Sequence, residues 1–260
     1  MLNFLKNHPF AVEAFFESST VLTFAVPKQA LEKLIPECLS LDTFNDEYAF
    51  FAVAIVKTKS LRPKGFPIFM GNDFILVGYR VFVRYIANDG RRLRGLYILK
   101  SETDKKKMEF FGNIFTHYNY TTTDITFSKN ENITTLQSKK SGFRIDINSN
   151  IENISLPLNS PFKDWKEARR FAGPLPFTFT FDAKTKNVLI IEGVREHWQP
   201  APINVVNYHI AFLEDFSKGV LNTPKKETEG VFNTPLLANA FEIRDIPYTW
   251  RKGKIEKWNK

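Results

Sequence analysis

One cysteine, Cys38, stands in the 260 residues, so neither an intrachain disulfide nor a metal site built on several thiolates can form. Between Glu37 and Leu39 it reads as a half-buried structural thiol. Four histidines, His8, His117, His197 and His209, are scattered along the chain. No His-x-His or His-Glu-x-x-His spacing gathers them, so no metal site is expected. Gly-x-Gly-x-x-Gly, the phosphate-binding P-loop and Gly-x-Ser-x-Gly are missing as well. That sets aside dinucleotide, nucleotide-phosphate and α/β-hydrolase chemistry, and no cofactor is expected. No stretch approaches the ~18 apolar residues of a membrane span. The opening residues lack the long apolar core and small-residue cleavage site of a secretory signal. The expectation is a soluble cytoplasmic protein with no membrane partner, in which the sequons at Asn119, Asn132 and Asn153 carry no weight.

Positive charge is present without being organised. The net charge is +8, which invites a nucleic-acid reading. The densest basic runs, Lys105–Lys107 and Lys225-Lys226, have no interleaved aromatic platform, and no nucleic-acid module surrounds them. A solvated basic surface accounts for them, and no nucleic-acid partner is expected. Phenylalanine is abundant, 26 residues against 3 methionines, which predicts broad sheet surfaces packed by rings. The length allows one large β domain or two small ones. Neither an internal repeat nor a linker divides the chain, so a single domain over 1–260 is expected.

Strand signals dominate the pass along the chain. Ser19–Val26, Leu39–Phe44, Glu47–Thr58, Phe74–Tyr85 and Arg94–Ser101 are β-branched and aromatic. Asn88-Asp89-Gly90 between the last two is a tight hairpin turn, since glycine supplies the positive φ. Further strands are predicted at His117–Ser128, Thr134–Gln137, Gly142–Asn148, Phe177–Asp182, Asn187–Val194 and Phe241–Ile246. Helices are predicted at Gln29–Ile35, Thr103–Asn113, Asp164–Phe171 and Asn207–Phe216. Leu61–Met70 reads as a loop broken by Pro63, Gly65 and Pro67. Asn222–Phe232 reads as a polar connection and Arg251–Lys260 as a basic tail. The sum, about ten strands with a few short helices, is a mainly β protein whose antiparallel sheet closes into a barrel or cone.

Two charges interrupt these apolar strands, Arg80 in FILVGYRVFVRY and Lys100 in RGLYILKS. Burying such a charge unpaired costs several kcal/mol, so each either reaches solvent or lines a polar pocket. Strand alternation places Arg80 on one face with Leu76, Gly78 and Phe82. There it would bind a carboxylate bidentately or serve in a structural ion pair. Lys100 shares a face with Leu96, Ile98 and Glu102. Facing inward they form a charged pair in a cavity; facing outward they are ordinary surface residues. Glu192, on a face with Val188, Ile190 and Val194, is an acid in a buried-looking strand and could balance Arg80.

The run TVLTFAVPKQALEKLIPECLSLDTFNDEYAFFAVAIV resembles the opening of the YqjF-like proteins, an uncharacterised bacterial family related to acetoacetate decarboxylase. The resemblance continues at Arg80-Val81-Phe82-Val83, at Asp89-Gly90 and at Arg94-Gly95-Leu96-Tyr97. It is strong over 19–127. Looser echoes follow at Trp165–Phe171, at His197-Trp198-Gln199-Pro200 and at Pro235–Phe241. It implies an acetoacetate decarboxylase-like fold, a closed antiparallel β-barrel with a central pocket. In the decarboxylase a lysine in a Gly-Phe-Pro-Lys-Lys context forms a Schiff base with a β-keto acid, its amine activated by a neighbouring cation and by desolvation. The corresponding place here, Phe115-Thr116-His117-Tyr118-Asn119, has no lysine. Leu76 takes the place of a carboxylate that family members carry four residues before the arginine.

The resemblance thus points to ligand binding without imine chemistry at the usual position. The expected ligand is a small anionic or carbonyl-bearing metabolite, with Arg80 as anchor and Lys100, His117, Tyr118, Glu192 and Trp198 as further pocket candidates. His117 and Tyr118 stand where the family has Pro-Tyr, and His117 there reads either as a structural donor or as a general base. His197 and Trp198 would rim the mouth, or Trp198 would simply pack. Two alternatives stay open. One is a lyase or hydrolase of keto or cyclic acids in which Lys100 or a Tyr/Glu pair does acid–base work. The other is a structural barrel with a filled interior and no ligand.

Overall fold

The computed structural model describes residues 4–150, 153–196, 198–214 and 235–259. The first half is strand-rich: β1 (Val12–Pro27), α1 (Lys28–Glu32), β2 (Ser40–Leu41), β3 (Tyr48–Pro63), β4 (Asn72–Ile86) and β5 (Arg92–Thr103). The chain continues with α2 (Lys106–Phe115), β6 (Tyr120–Thr122), β7 (Thr126–Asn130), β8 (Ile133–Ser138) and β9 (Phe143–Asn148). It ends with α3 (Trp165–Ala172), β10 (Phe177–Asp182), β11 (Asn187–Arg195), β12 (Ala201–Pro202), β13 (Asn204–Ile210), β14 (Leu236–Trp250) and β15 (Lys254–Lys257). Among the described residues no helix is long and apolar enough to cross a membrane.

The larger sheet pairs its strands in the order β14-β1-β3-β4-β5-β10-β11. β11 then pairs with β14 through Gly193↔Trp250, Val194↔Thr249 and Arg195↔Tyr248, so the succession returns to its first member. β4 and β5 meet across the expected turn, where Gly90 has φ 83 and its N–H donates to the Ala87 carbonyl at 2.8 Å. One expectation is corrected here: the sheet is not wholly antiparallel. β5 runs parallel to β10 and also to β6. Parallel neighbours need a long crossover, and the chain between β5 and β10 supplies one, carrying α2, β6, α3 and three strands, β7 to β9, of a separate sheet ordered β13-β9-β8-β7 that β13 joins from later in the chain.

That second sheet also corrects the helix predicted over Asn207–Phe216. Residues 204–210 form β13 along β9, with Tyr208 opposite Ile145 and Ile210 opposite Phe143; the helical spacing of Ile210 and Leu213 gave way to an available edge. Helix only begins at 211, and residues 215–234, with the predicted connection Asn222–Phe232, lie outside the described residues. The predicted loop at Leu61 starts later, because β3 runs on to Pro63, which pairs with Val12. In the predicted tail, Lys254–Lys257 instead pairs with β11 as β15.

Period-two alternation sorts the long strands into two faces. Val53, Ile55, Val77, Tyr79 and Val81 join Leu136, Phe143 and Ile145 of the second sheet in the main core. The opposite face is filled at one end by rings, with Phe50 stacked on Phe162 at 5.5 Å and Phe171 at 5.2 Å from Phe50, beneath α3. Asp164 caps α3 by accepting from the Glu167 N–H at 2.7 Å. Further along the same face the large rings give way to small residues: Ala52 opposes Arg80, and Ala54 opposes Gly78. Space opens there.

Candidate functional site

A cavity of about 510 Å³ occupies that space, within the range usual for small-molecule sites. All seven strands of the succession contribute to its wall: Val21 of β1, Ala54 of β3, Arg80 of β4, Ile98 of β5, Thr178 of β10, Arg195 of β11 and Tyr248 of β14 are examples. The wall is mostly apolar, and no aspartate or glutamate among the described residues belongs to it.

Arg80 is its most exceptional member. The guanidinium lies deep in the protein, and the surface it retains belongs to the cavity wall. Its Nε has no hydrogen-bond partner and no carboxylate pairs with it among the described residues. Burial pulls its pKa below the ordinary guanidinium value, while Tyr248, Tyr120 and Tyr118 act in the opposite direction. The side chain folds back over its own strand, which requires Gly78: a Cβ there would stand 2.7 Å from Nε and 3.0 Å from Nη2.

Tyr118 and Tyr120 reach the cavity because α2 ties down the segment that follows it. The Asn113 side chain donates to the Tyr120 carbonyl at 2.9 Å and accepts from its N–H at 2.7 Å. Glu109 accepts from the Thr122 N–H at 2.9 Å. Gly112 leaves room for the Tyr120 ring against the helix. The Tyr118 hydroxyl is buried without a hydrogen-bond partner of good geometry, though Thr178 lies near enough to influence it. Burial raises the pKa of both phenols, Tyr118 and Tyr120, so each is a neutral donor at physiological pH.

Sequence reasoning did not single out four other wall residues. Tyr248 lies across Gly193 at the junction of β11 and β14 and stacks on Phe16 at 4.6 Å. Arg195 donates to the Pro174 carbonyl at 2.5 Å, and its guanidinium lies 4.9 Å from the Trp198 ring centre. His8 is buried with Nδ1 unpartnered, and burial pushes its pKa below the ordinary imidazole value. Tyr120 completes the set. All except Tyr120 are remote in sequence from Arg80 and Tyr118, and only the closing of the strand succession brings them together.

The other candidates are placed elsewhere. Lys100 does not line the cavity, because β5 bulges: Tyr79 pairs with Lys100 but Arg80 with Ile98, leaving Leu99 as an extra residue. The bulge turns Ile98 and Ser101 toward the cavity and Lys100 away from it. Lys100 instead pairs with Glu102 at 2.6 Å, over the Tyr79 and Phe212 rings. Glu102 also accepts from the Tyr79 hydroxyl at 3.0 Å and from Ser141 at 2.8 Å, a network that joins the two sheets. Glu192 pairs with Arg251 at 2.9 Å, at the surface. His117 meets Asn7 Oδ1 at 3.1 Å outside the wall, and burial lowers its pKa. Trp198 packs against Phe241, Ile243 and Ile246, and His197 lies outside the described residues. No grouping of three or more metal-ligating side chains occurs among the described residues.

The solved structures that this chain resembles share the fold at low sequence identity. Acetoacetate decarboxylase from Legionella pneumophila subsp. pneumophila str. Philadelphia 1 superposes with a TM-score of 0.55 at 10% identity, covering 95% of this chain and 88% of that one. The enduracididine biosynthesis enzyme MppR, solved with pyruvate, gives 0.54 at 8% identity over 95% and 90%. An acetoacetate decarboxylase-like enzyme from Sphingomonas wittichii RW1 gives 0.53 at 11% identity over 98% and 94%. No curated protein matches the chain. Residues 14–234 match the model of one family, and the chain belongs to it: DUF2071, described as an uncharacterized conserved protein (COG2071).

Proposed function

We propose that the returning succession of strands acts as a closed barrel whose central pocket binds a small organic acid, with the carboxylate on Arg80. One observation carries this: a deep guanidinium with an unpartnered Nε, in a wall that contains no carboxylate among the described residues. A buried cation without a counter-charge is costly, and a bound anion offsets that cost while making bidentate hydrogen bonds. The neutral hydroxyl of Tyr118 supplies a donor to a second ligand oxygen. A ligand that binds only the folded protein raises its melting temperature, by about 2.7 kcal/mol of stability at a hundredfold excess over Kd.

The test is a thermal-shift series of small carboxylates on the wild type and on Arg80→Met. Shifts that vanish in a well-folded Arg80→Met support the reading. Equal shifts in both proteins, or none with any acid, defeat it.

A second reading, turnover of a keto or cyclic acid, is favoured by His8 and Tyr118, two buried titratable groups on the wall with unpartnered atoms. Imine formation at Lys100 has no such support, since its amine is held by Glu102 on the other face of the sheet. Borohydride reduction with a keto acid is expected to leave Lys100 unmodified, read by peptide mass mapping. The filled-barrel alternative accords poorly with a cavity of this size.

A further inference from the structure

We infer that the ligand is an amphiphilic monocarboxylic acid, its head at Arg80 and its aliphatic tail leading to a mouth between residues 64–71 and α2. This rests on the anion-pocket reading and narrows it to a chemical class.

The single charge of the head follows from how the cations of the wall are engaged. Arg62 is paired with Glu13 at 2.6 Å. Arg195 donates through Nη2 to the Pro174 carbonyl and lies over Trp198, although its Nε, like that of Arg80, has no hydrogen-bond partner. Lys107 is exposed at the surface end. Arg80 alone is both deep and without an ion-pair or carbonyl partner among the described residues. One such cation matches one carboxylate. A dicarboxylate, sugar or nucleotide would leave buried polar groups unmatched on so apolar a wall.

The path of the tail follows from where the wall meets solvent. Of the lining residues only Phe66, Met70, Lys107 and Phe111 are exposed, and they come from just two segments, the turn after β3 and α2. Beside them stand further large apolar side chains in the open: Ile68 at 69% exposure, Phe69 at 86% and Phe110 at 63%. The mostly apolar lining thus reaches solvent beside a cluster of exposed apolar side chains. A polar ligand gains nothing from such a rim. An aliphatic tail gains roughly 0.8 kcal/mol for each methylene it buries, about fourfold in Kd.

The experiment measures Kd calorimetrically for acetate, butyrate, hexanoate, octanoate and decanoate, below their micellar concentrations, beside the alcohols of equal length. The expected result is a Kd that falls about fourfold per methylene and levels off once the tail passes the mouth. Phe66→Ser with Phe111→Ser, both at exposed positions, then weakens decanoate and leaves butyrate unchanged. A Kd independent of chain length, or one that worsens beyond butyrate, overturns the amphiphile while leaving the anion pocket standing. So does unaltered decanoate binding in the double variant. Alcohols that bind as well as acids overturn the role of Arg80 instead, whatever the length dependence.

Discussion

At the scale of single residues, the small side chains decide what the large ones can do. Arg80 can lie folded along its strand only because position 78 lacks a Cβ. Gly78→Ala is expected to push the guanidinium aside, a cheap displacement since the atoms met are the free end of a flexible chain. Stability by urea titration then changes by less than about 1 kcal/mol. Affinity for carboxylates falls by about tenfold, the equivalent of 1.4 kcal/mol. Asp124 offers a second test. Its carboxylate accepts from the Ser138 hydroxyl at 2.5 Å and from the Lys140 N–H at 3.1 Å, and these bonds hold its pKa at about 2, from an ordinary 3.8. A depressed carboxyl stabilises the fold above its unfolded pKa and loses that contribution as pH falls from about 4 toward 2. Asp124→Asn should therefore flatten the acid limb of a melting-temperature profile while leaving its neutral region little changed in slope.

At the scale of elements, a charged clamp fastens β4 and β5 to the segment containing β2. Asp42 is fully buried and accepts from Arg84 Nε at 2.5 Å and from Arg94 Nε at 2.6 Å. Arg94 also donates to the Phe171 carbonyl at 2.9 Å, which ties in the end of α3. Gly95, next in chain, lets β10 approach where a side chain would strike the Phe177 carbonyl. The Arg94-Gly95 pair quoted for its family resemblance thus has a packing role. Asp42→Ala should cost on the order of 3 kcal/mol in urea unfolding, two charge-assisted bonds lost from one buried site. Arg94→Lys keeps the charge but not the fork, and should cost about half of that.

Elements with local signals were legible beforehand. The β4–β5 turn, the short helix α3 and the strands of the β10–β11 hairpin each rest on neighbours in sequence. The bulge at Leu99 was not, because nothing in RGLYILKS records how many residues β4 sets opposite it. That one residue is why Lys100 leaves the cavity face. β13 was mistaken for helix for a related reason, since its identity depends on the free edge of β9.

At the scale of the whole molecule, Arg80 could be picked out in advance as a charge in an aliphatic run, and Tyr118 through the family resemblance. Tyr248, Arg195 and His8 could not, being ordinary residues until distant strands close on one another. The net charge of +8 takes on a local meaning at this scale. The described part of the cavity wall has cations and no carboxylates, so its field favours entry of anions at low salt.

Uneven fastening of the strand succession carries a last consequence. β1 and β14 stay paired from Val12↔Trp250 to Ala25↔Leu236. The β10–β11 hairpin, with β15 along its outer strand, is held to β5 only over Phe177↔Gly95 to Phe179↔Tyr97, and to β14 only over Gly193↔Trp250 to Arg195↔Tyr248. This panel carries Thr178 and Arg195 of the wall. Cooperative units with few anchoring bonds open well below the free energy of global unfolding. Amide deuteration should therefore reach residues 177–179 and 193–195 long before the β1–β14 ladder. A bound acid bridging the panel to β4 would slow that exchange, turning a lightly fastened seam into a direct reporter of occupancy.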